Sequence, residues 1–90
     1  MTYNKETGIF INDKNEEIYL PNKVGKLLEI LIENDFASYE TTCKRIYDYV
    51  DYCASNALKT IKCRLQKLTG LNIATYMCRG YKLLDKVVMI

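Results

Sequence analysis

The sequence predicts an α+β fold in one domain: a β-hairpin, three helices and a second β-hairpin, in that order. Three observations predict it. A polar turn, Asp13-Lys14-Asn15-Glu16, divides residues 7–20 into two short segments rich in β-branched and aromatic side chains. Three stretches between residues 21 and 69 repeat apolar residues at helical spacing. After Gly70 the helical repeat stops, and residues 72–84 return to short β-favouring runs. A chain of 90 residues is enough for one small core, burying about 60–65% of its unfolded surface.

Thr7 to Asn12 and Glu17 to Leu20 are the arms of the first hairpin, expected to cover one side of the helical core. Pro21 suits the opening of a helix over 21–34, because its fixed φ is already helical and its missing N–H is not needed in a first turn. Val24, Leu27, Leu28, Leu31 and Ile32 give that helix its apolar side. Gly25 inside it costs up to about 1 kcal/mol relative to Ala, which points to close packing against a neighbour. Ser38 is placed to cap a second helix over 38–48, with Glu40 in the first turn where the helix dipole favours an acid. Thr42, Cys43, Ile46 and Tyr47 can form its buried side.

The third helix, 55–69, carries the strongest pattern. Leu58, Ile61, Leu65 and Leu68 fall on one stripe, with Ser55 or Asn56 as the expected cap and Thr69-Gly70 as the stop. The other side holds Asn56, Lys59, Thr60, Cys63, Gln66 and Lys67, flanked by Lys62 and Arg64. The tail Val87-Val88-Met89-Ile90 is apolar enough to dock on the body or on a second subunit.

Charge is divided along the chain. Ten acids face six bases through Ala54, whereas seven bases face Asp85 alone from Ser55 onward. That asymmetry suits a polyanion at the third helix and second hairpin, against the plainer reading of a solvated helix face. Cys43, Cys53, Cys63 and Cys78 have no Cys-x-x-Cys spacing and the chain has no histidine, which argues against zinc sites. With no Gly-rich phosphate loop, paired acid motif or nucleophile elbow either, no enzymatic role and no cofactor are expected. No apolar run reaches the roughly 20 residues of a membrane span, and the N-terminus does not resemble a secretory signal, so a cytoplasmic protein with reduced thiols is expected.

Ile73, Thr75, Gly80, Tyr81, Lys82 and Leu83 match the closing hairpin of OmpR/PhoB-type response-regulator effector domains, apolar-x-Thr, four residues, then Gly-Tyr-basic-apolar. Leu20, Leu27, Leu28 and Leu31 match that family's first-helix pattern, with Val24 and Gly25 standing where it has Glu and an aromatic. Tyr76-Met77-Cys78 replaces its Val-Arg-Gly, leaving Arg79 as the base at the tip. The chain thus resembles a divergent member from about residue 9 to 84 that lacks the family's receiver domain, either an excised domain or, slightly favoured, a stand-alone regulator.

The resemblance implies a winged helix-turn-helix that binds double-stranded DNA and regulates transcription, with residues 55–69 as recognition helix in the major groove and 72–84 as the wing at the minor groove. On that helix Asn56, Lys59, Thr60 and Cys63 are expected to meet base edges, and Lys62, Arg64 and Lys67 to meet phosphates. Arg79 and Lys82 belong to the wing. Tyr49, Asp51 and Tyr52, in the connection before the recognition helix, are candidate protein contacts, with RNA polymerase as the partner the family implies; aromatics closing the core beneath a loop are the alternative. Two copies on repeated half-sites are expected, because one small module buries little DNA surface. The competing function is a winged-helix module that binds RNA polymerase or another transcription factor without DNA.

Overall fold

The chain begins with a strand absent from the sequence reading, β1 (Thr2–Asn4), which pairs antiparallel with β2 (Ile9–Ile11). The turn between them is closed by Asn4, whose Oδ1 accepts the N–H groups of Glu6 (3.0 Å) and Thr7 (3.3 Å), and by Gly8 at φ 75°. β3 (Glu17–Tyr19) completes the expected hairpin with β2. Its polar turn is organised by Asn12, whose Oδ1 accepts from Lys14 and Glu16 at 2.9 and 3.0 Å. These details are visible in a computed structural model that describes residues 1–34, 36–47, 52–76 and 79–90, the side chains of 47 and 52–55 excepted.

Pro21 caps α1 (Asn22–Glu33), and Asn34 ends it in extended conformation with its side-chain amide donating to the Ile30 carbonyl at 2.9 Å. Val24, Leu27, Leu28 and Leu31 are buried as expected. The apolar side is wider than the sequence stripe: Ile30 is buried, while Ile32 only packs against the core margin. The cause is that α1 packs against both other helices and both sheets, so burial extends well round its circumference. Gly25 is explained by Tyr3, whose hydroxyl occupies the place a Cβ would take.

A two-residue strand, β4 (Ala37–Ser38), leads into α2 (Tyr39–Tyr47), and Ser38 Oγ caps that helix by accepting the Thr41 N–H at 3.2 Å. Thr42 and Cys43 are fully buried and Ile46 partly so. α3 runs from Tyr52 to Thr69, three residues longer at its start than the sequence stretch. Ser55 and Asn56 therefore lie inside the helix and do not cap it; with no Gly or Pro between Tyr52 and Thr69, nothing local forces a later start. Gly70 at φ 72° stops the helix, its N–H donating to the Gln66 carbonyl at 2.8 Å.

The last hairpin is β5 (Ile73–Tyr76) with β6 (Gly80–Leu83), in a register that sets Ile73 opposite Leu83 and Thr75 opposite Tyr81. β4 adds to the other edge of β6, giving a three-stranded sheet ordered β4-β6-β5. Phe36 and Tyr76, from opposite edges of this sheet, meet edge to face at 5.6 Å. The apolar tail docks on its own body: β7 (Val88–Met89) lies parallel to β1 and extends the first sheet to β3-β2-β1-β7. Val88 and Ile90 donate backbone N–H groups to the Met1 and Tyr3 carbonyls at 3.0 and 2.8 Å. The fold is thus α+β, and the described residues form three helices and two small sheets about one core. Its radius of gyration of 12.3 Å is the value of about 12 Å expected for one domain of this length.

Candidate nucleic-acid interface

Burial orients α3 with little freedom. Leu58 and Leu65 are completely buried and Ile61 nearly so, which turns Asn56, Lys59, Thr60, Cys63, Arg64 and Lys67 to the surface. Leu68 departs from the expected stripe and is 41% exposed. It stands about 80° round the helix from Leu58, at the stripe's edge and one residue before the chain turns away.

The exposed side is one continuous feature. Lys59, Thr60, Cys63, Arg64 and Lys67 line a shallow groove of about 340 Å³ along the helix. The expected phosphate contacts Arg64 and Lys67 thus line this groove together with the expected base readers Lys59, Thr60 and Cys63. Thr60 donates its hydroxyl to the Asn56 carbonyl at 3.3 Å, so outward it offers a methyl group and oxygen lone pairs. Cys63 is an exposed free thiol. Ion pairs join the Met1 amine to Asp13, Lys44 to Glu40 and Arg45 to Glu33, three pairs that lie before residue 46. Among the described residues, the side chains of Lys59, Arg64, Lys67, Arg79 and Lys82 have neither an ion pair nor a hydrogen bond.

Lys62 is placed differently from the other bases. It is half-buried, and its ammonium sits 5.8 Å from the centroid of the Tyr81 ring. Tyr81 is itself buried, packed edge to face on Tyr39 at 5.1 Å between centroids. Burial, reinforced by Tyr39 and its hydrogen bond, pushes the Tyr81 hydroxyl well above the ordinary tyrosine range. In the sequence Tyr81 stands out only as a motif position. Strand alternation, which puts Tyr81 and Leu83 on one face and Gly80 and Lys82 on the other, was the available signal for its inward side.

Arg79 is exposed at the end of the hairpin turn, its N–H donating to the Tyr76 carbonyl and its carbonyl accepting the Tyr39 N–H, each at 2.9 Å. Lys82 does not join it in the turn; it lines a groove with Leu31, Ile32 and Asn34 at the end of α1. Tyr49 and Asp51 lie outside the described residues. Tyr52 opens α3, and its side chain is likewise outside them.

One neighbouring feature was not anticipated from the sequence. Between the first turn of α1 and α3 runs a groove of about 540 Å³ floored by Pro21, Val24, Ala57 and Ile61 and edged by Lys23 and Arg64. Thr60 and Arg64 line both this groove and the one along α3. Among the described residues no group of His, Cys, Asp and Glu has the arrangement of a metal site, and no helix is long and apolar enough to cross a membrane. The chain matches no protein-family model, no curated protein and no solved structure.

Proposed function

We propose that the chain is a sequence-specific, double-stranded DNA-binding regulator of transcription, a winged helix-turn-helix similar to OmpR/PhoB-type effector domains. In this reading α3 is the recognition helix and the β5–β6 hairpin is the wing. The single observation that carries it is the row of cations Lys59, Arg64 and Lys67, without an ion pair or side-chain hydrogen bond, on one exposed face of α3, while Asp13, Glu33 and Glu40 hold their ion pairs in the other half of the chain. Leaving like charges together on one surface costs free energy in the isolated protein, and a polyanion repays it by releasing counterions on binding. A major groove about 12 Å wide admits one helix, so this face meets base edges as well as phosphates.

Asn56 and Lys59 are the strongest base readers, toward adenine and guanine respectively, with Thr60 and Cys63 against thymine methyl groups. Arg64 and Lys67 serve phosphates, and Arg79 reaches the adjacent minor groove. Lys62 contributes charge beside the duplex while anchored on Tyr81. Two copies on repeated half-sites, a cytoplasmic location and contact with RNA polymerase belong to the same reading, and no catalysis or cofactor does.

Electrophoretic shift with unrelated duplex DNA across a salt series tests this directly. Salt-sensitive binding is expected, and its absence at low salt sinks the proposal. In that case the second reading takes over, a winged-helix module docking on a protein. The exposed Phe36–Tyr76 pair, 42% and 45% accessible, favours that module as its contact surface.

A further inference from the structure

The groove between α1 and α3, about 540 Å³ in volume, has a chemistry that suits a sugar-phosphate strand. Its floor of Pro21, Val24, Ala57 and Ile61 is apolar, as the face of a deoxyribose is, and its two edges are the cations Lys23 and Arg64. It opens directly onto the α3 face, since Thr60 and Arg64 line both grooves. On the opposite flank α3 is bounded by the hairpin, to which Lys62 is fastened through Tyr81. A helix seated in a major groove has one sugar-phosphate strand on each side. One of these strands falls to the hairpin side, and the other needs a partner where α1 begins.

We infer that the first turn of α1 forms the second backbone contact of the DNA interface, with one sugar-phosphate strand lying in the α1–α3 groove and its phosphate held between Lys23 and Arg64. This rests on the DNA-binding reading above and adds an element that the sequence presents as purely structural. It also fixes the docking orientation: the hairpin with Arg79 takes one strand and α1 with Lys23 takes the other. The contact is with phosphate and sugar, so it positions the protein without reading bases.

The test uses the whole chain. Wild-type protein is first titrated with an unrelated duplex across a salt series, then Lys23→Ala is compared with Lys26→Ala, an exposed lysine on the same helix that does not line the groove. Lys23→Ala is expected to weaken binding to specific and unrelated duplexes by the same factor. It should also lower the slope of log K against log salt by about 0.9, one phosphate's worth, with Lys26→Ala unchanged. A scan of single methylphosphonate substitutions on a selected duplex then locates the contact. Wild type is expected to lose affinity at two clusters of positions, Lys23→Ala to become insensitive at one cluster, and Arg79→Ala at the other.

If wild type binds and Lys23→Ala matches it in affinity and slope, the α1 contact is refuted and the DNA-binding reading stands. If Lys23→Ala and Arg79→Ala silence the same cluster, the docking orientation is overturned. Absence of salt-sensitive binding by wild type removes both.

Discussion

Lys62 of α3 sits with its ammonium 5.8 Å from the centre of the Tyr81 ring on β6, which ties the basic helix to the C-terminal hairpin through one cation and one aromatic face. Lys62 is therefore both a charge on the proposed DNA surface and a packing group. Lys62→Ala is expected to lose about 0.5–1 kcal/mol of folding stability. Lys67→Ala, fully on the surface, should stay within about 0.5 kcal/mol of wild type. Urea denaturation of the two variants distinguishes them, and equal stabilities would mean that the ring contact holds nothing.

Tyr81 gives the fold a dependence on alkaline pH. Burial first, then Tyr39, raises its hydroxyl above the ordinary value of 10.0, so the folded protein keeps this proton where the unfolded chain releases it. Unfolding then releases a proton, and stability falls as pH rises beyond about 10, with no such effect below. Tyr3, raised chiefly by burial and next by Glu29, adds in the same direction. The urea midpoint of wild type is expected to drop from pH 10 upward. Tyr81→Phe should drop less steeply, having lost about 1 kcal/mol of hydrogen bonding at neutral pH. Parallel profiles would contradict the assignment.

Gly25 and Tyr3 form a coupled pair. A Cβ at Gly25 would meet the Tyr3 hydroxyl, so Gly25→Ala displaces a buried ring and is expected to cost about 1–3 kcal/mol despite the better helix propensity of Ala. In a Tyr3→Phe background the hydroxyl is gone, and the same substitution should cost at least about 1 kcal/mol less. A double-mutant cycle by chemical denaturation reads this coupling directly, and additive effects would exclude it.

Gly80 meets an obstacle that cannot move aside. Its missing Cβ faces the Ala37 carbonyl and the Ser38 backbone, where β4 pairs antiparallel with β6. Gly80→Ala should cost about 2–3 kcal/mol by forcing the strands apart. It should also shift the amide resonances of Ala37 and Ser38. Retention of wild-type stability would mean that β4 does not pair as described.

On DNA, Lys59→Ala and Lys67→Ala should separate two roles. Loss of Lys59 is expected to cost roughly 1–3 kcal/mol on the selected site and to relax its preference, whereas loss of Lys67 should weaken all sequences alike. Fluorescence anisotropy on selected and scrambled duplexes measures both. Identical ratios for the two variants would remove Lys59 from base reading.

Much of the architecture was readable because local chemistry specified it. Polar turn residues marked the first hairpin, Pro21 and Ser38 marked two helix starts, and Gly70 marked a helix end, each through a conformational or hydrogen-bonding preference acting within a few residues. The exposed cations of α3 were legible for the same reason, since the Leu58-Ile61-Leu65 stripe leaves them one side. The start of α3 was misread because Ser55 and Asn56 favour caps only where the preceding residues leave the helix. Leu68 was misread because periodicity does not say where the covering elements stop.

By itself the sequence determined the two hairpins, the three helices between them and the basic side of α3, since turn preferences and helical spacing act over a few residues at a time. Only the tertiary structure decided that Val88 lies beside Thr2, that Ala37 pairs with Tyr81, that Lys62 rests on an aromatic ring and that Lys23 shares a groove with Arg64. Each of these joins residues far apart in the chain. Strands of two residues carry no periodicity of their own, and they exist because a neighbouring edge supplies their hydrogen bonds.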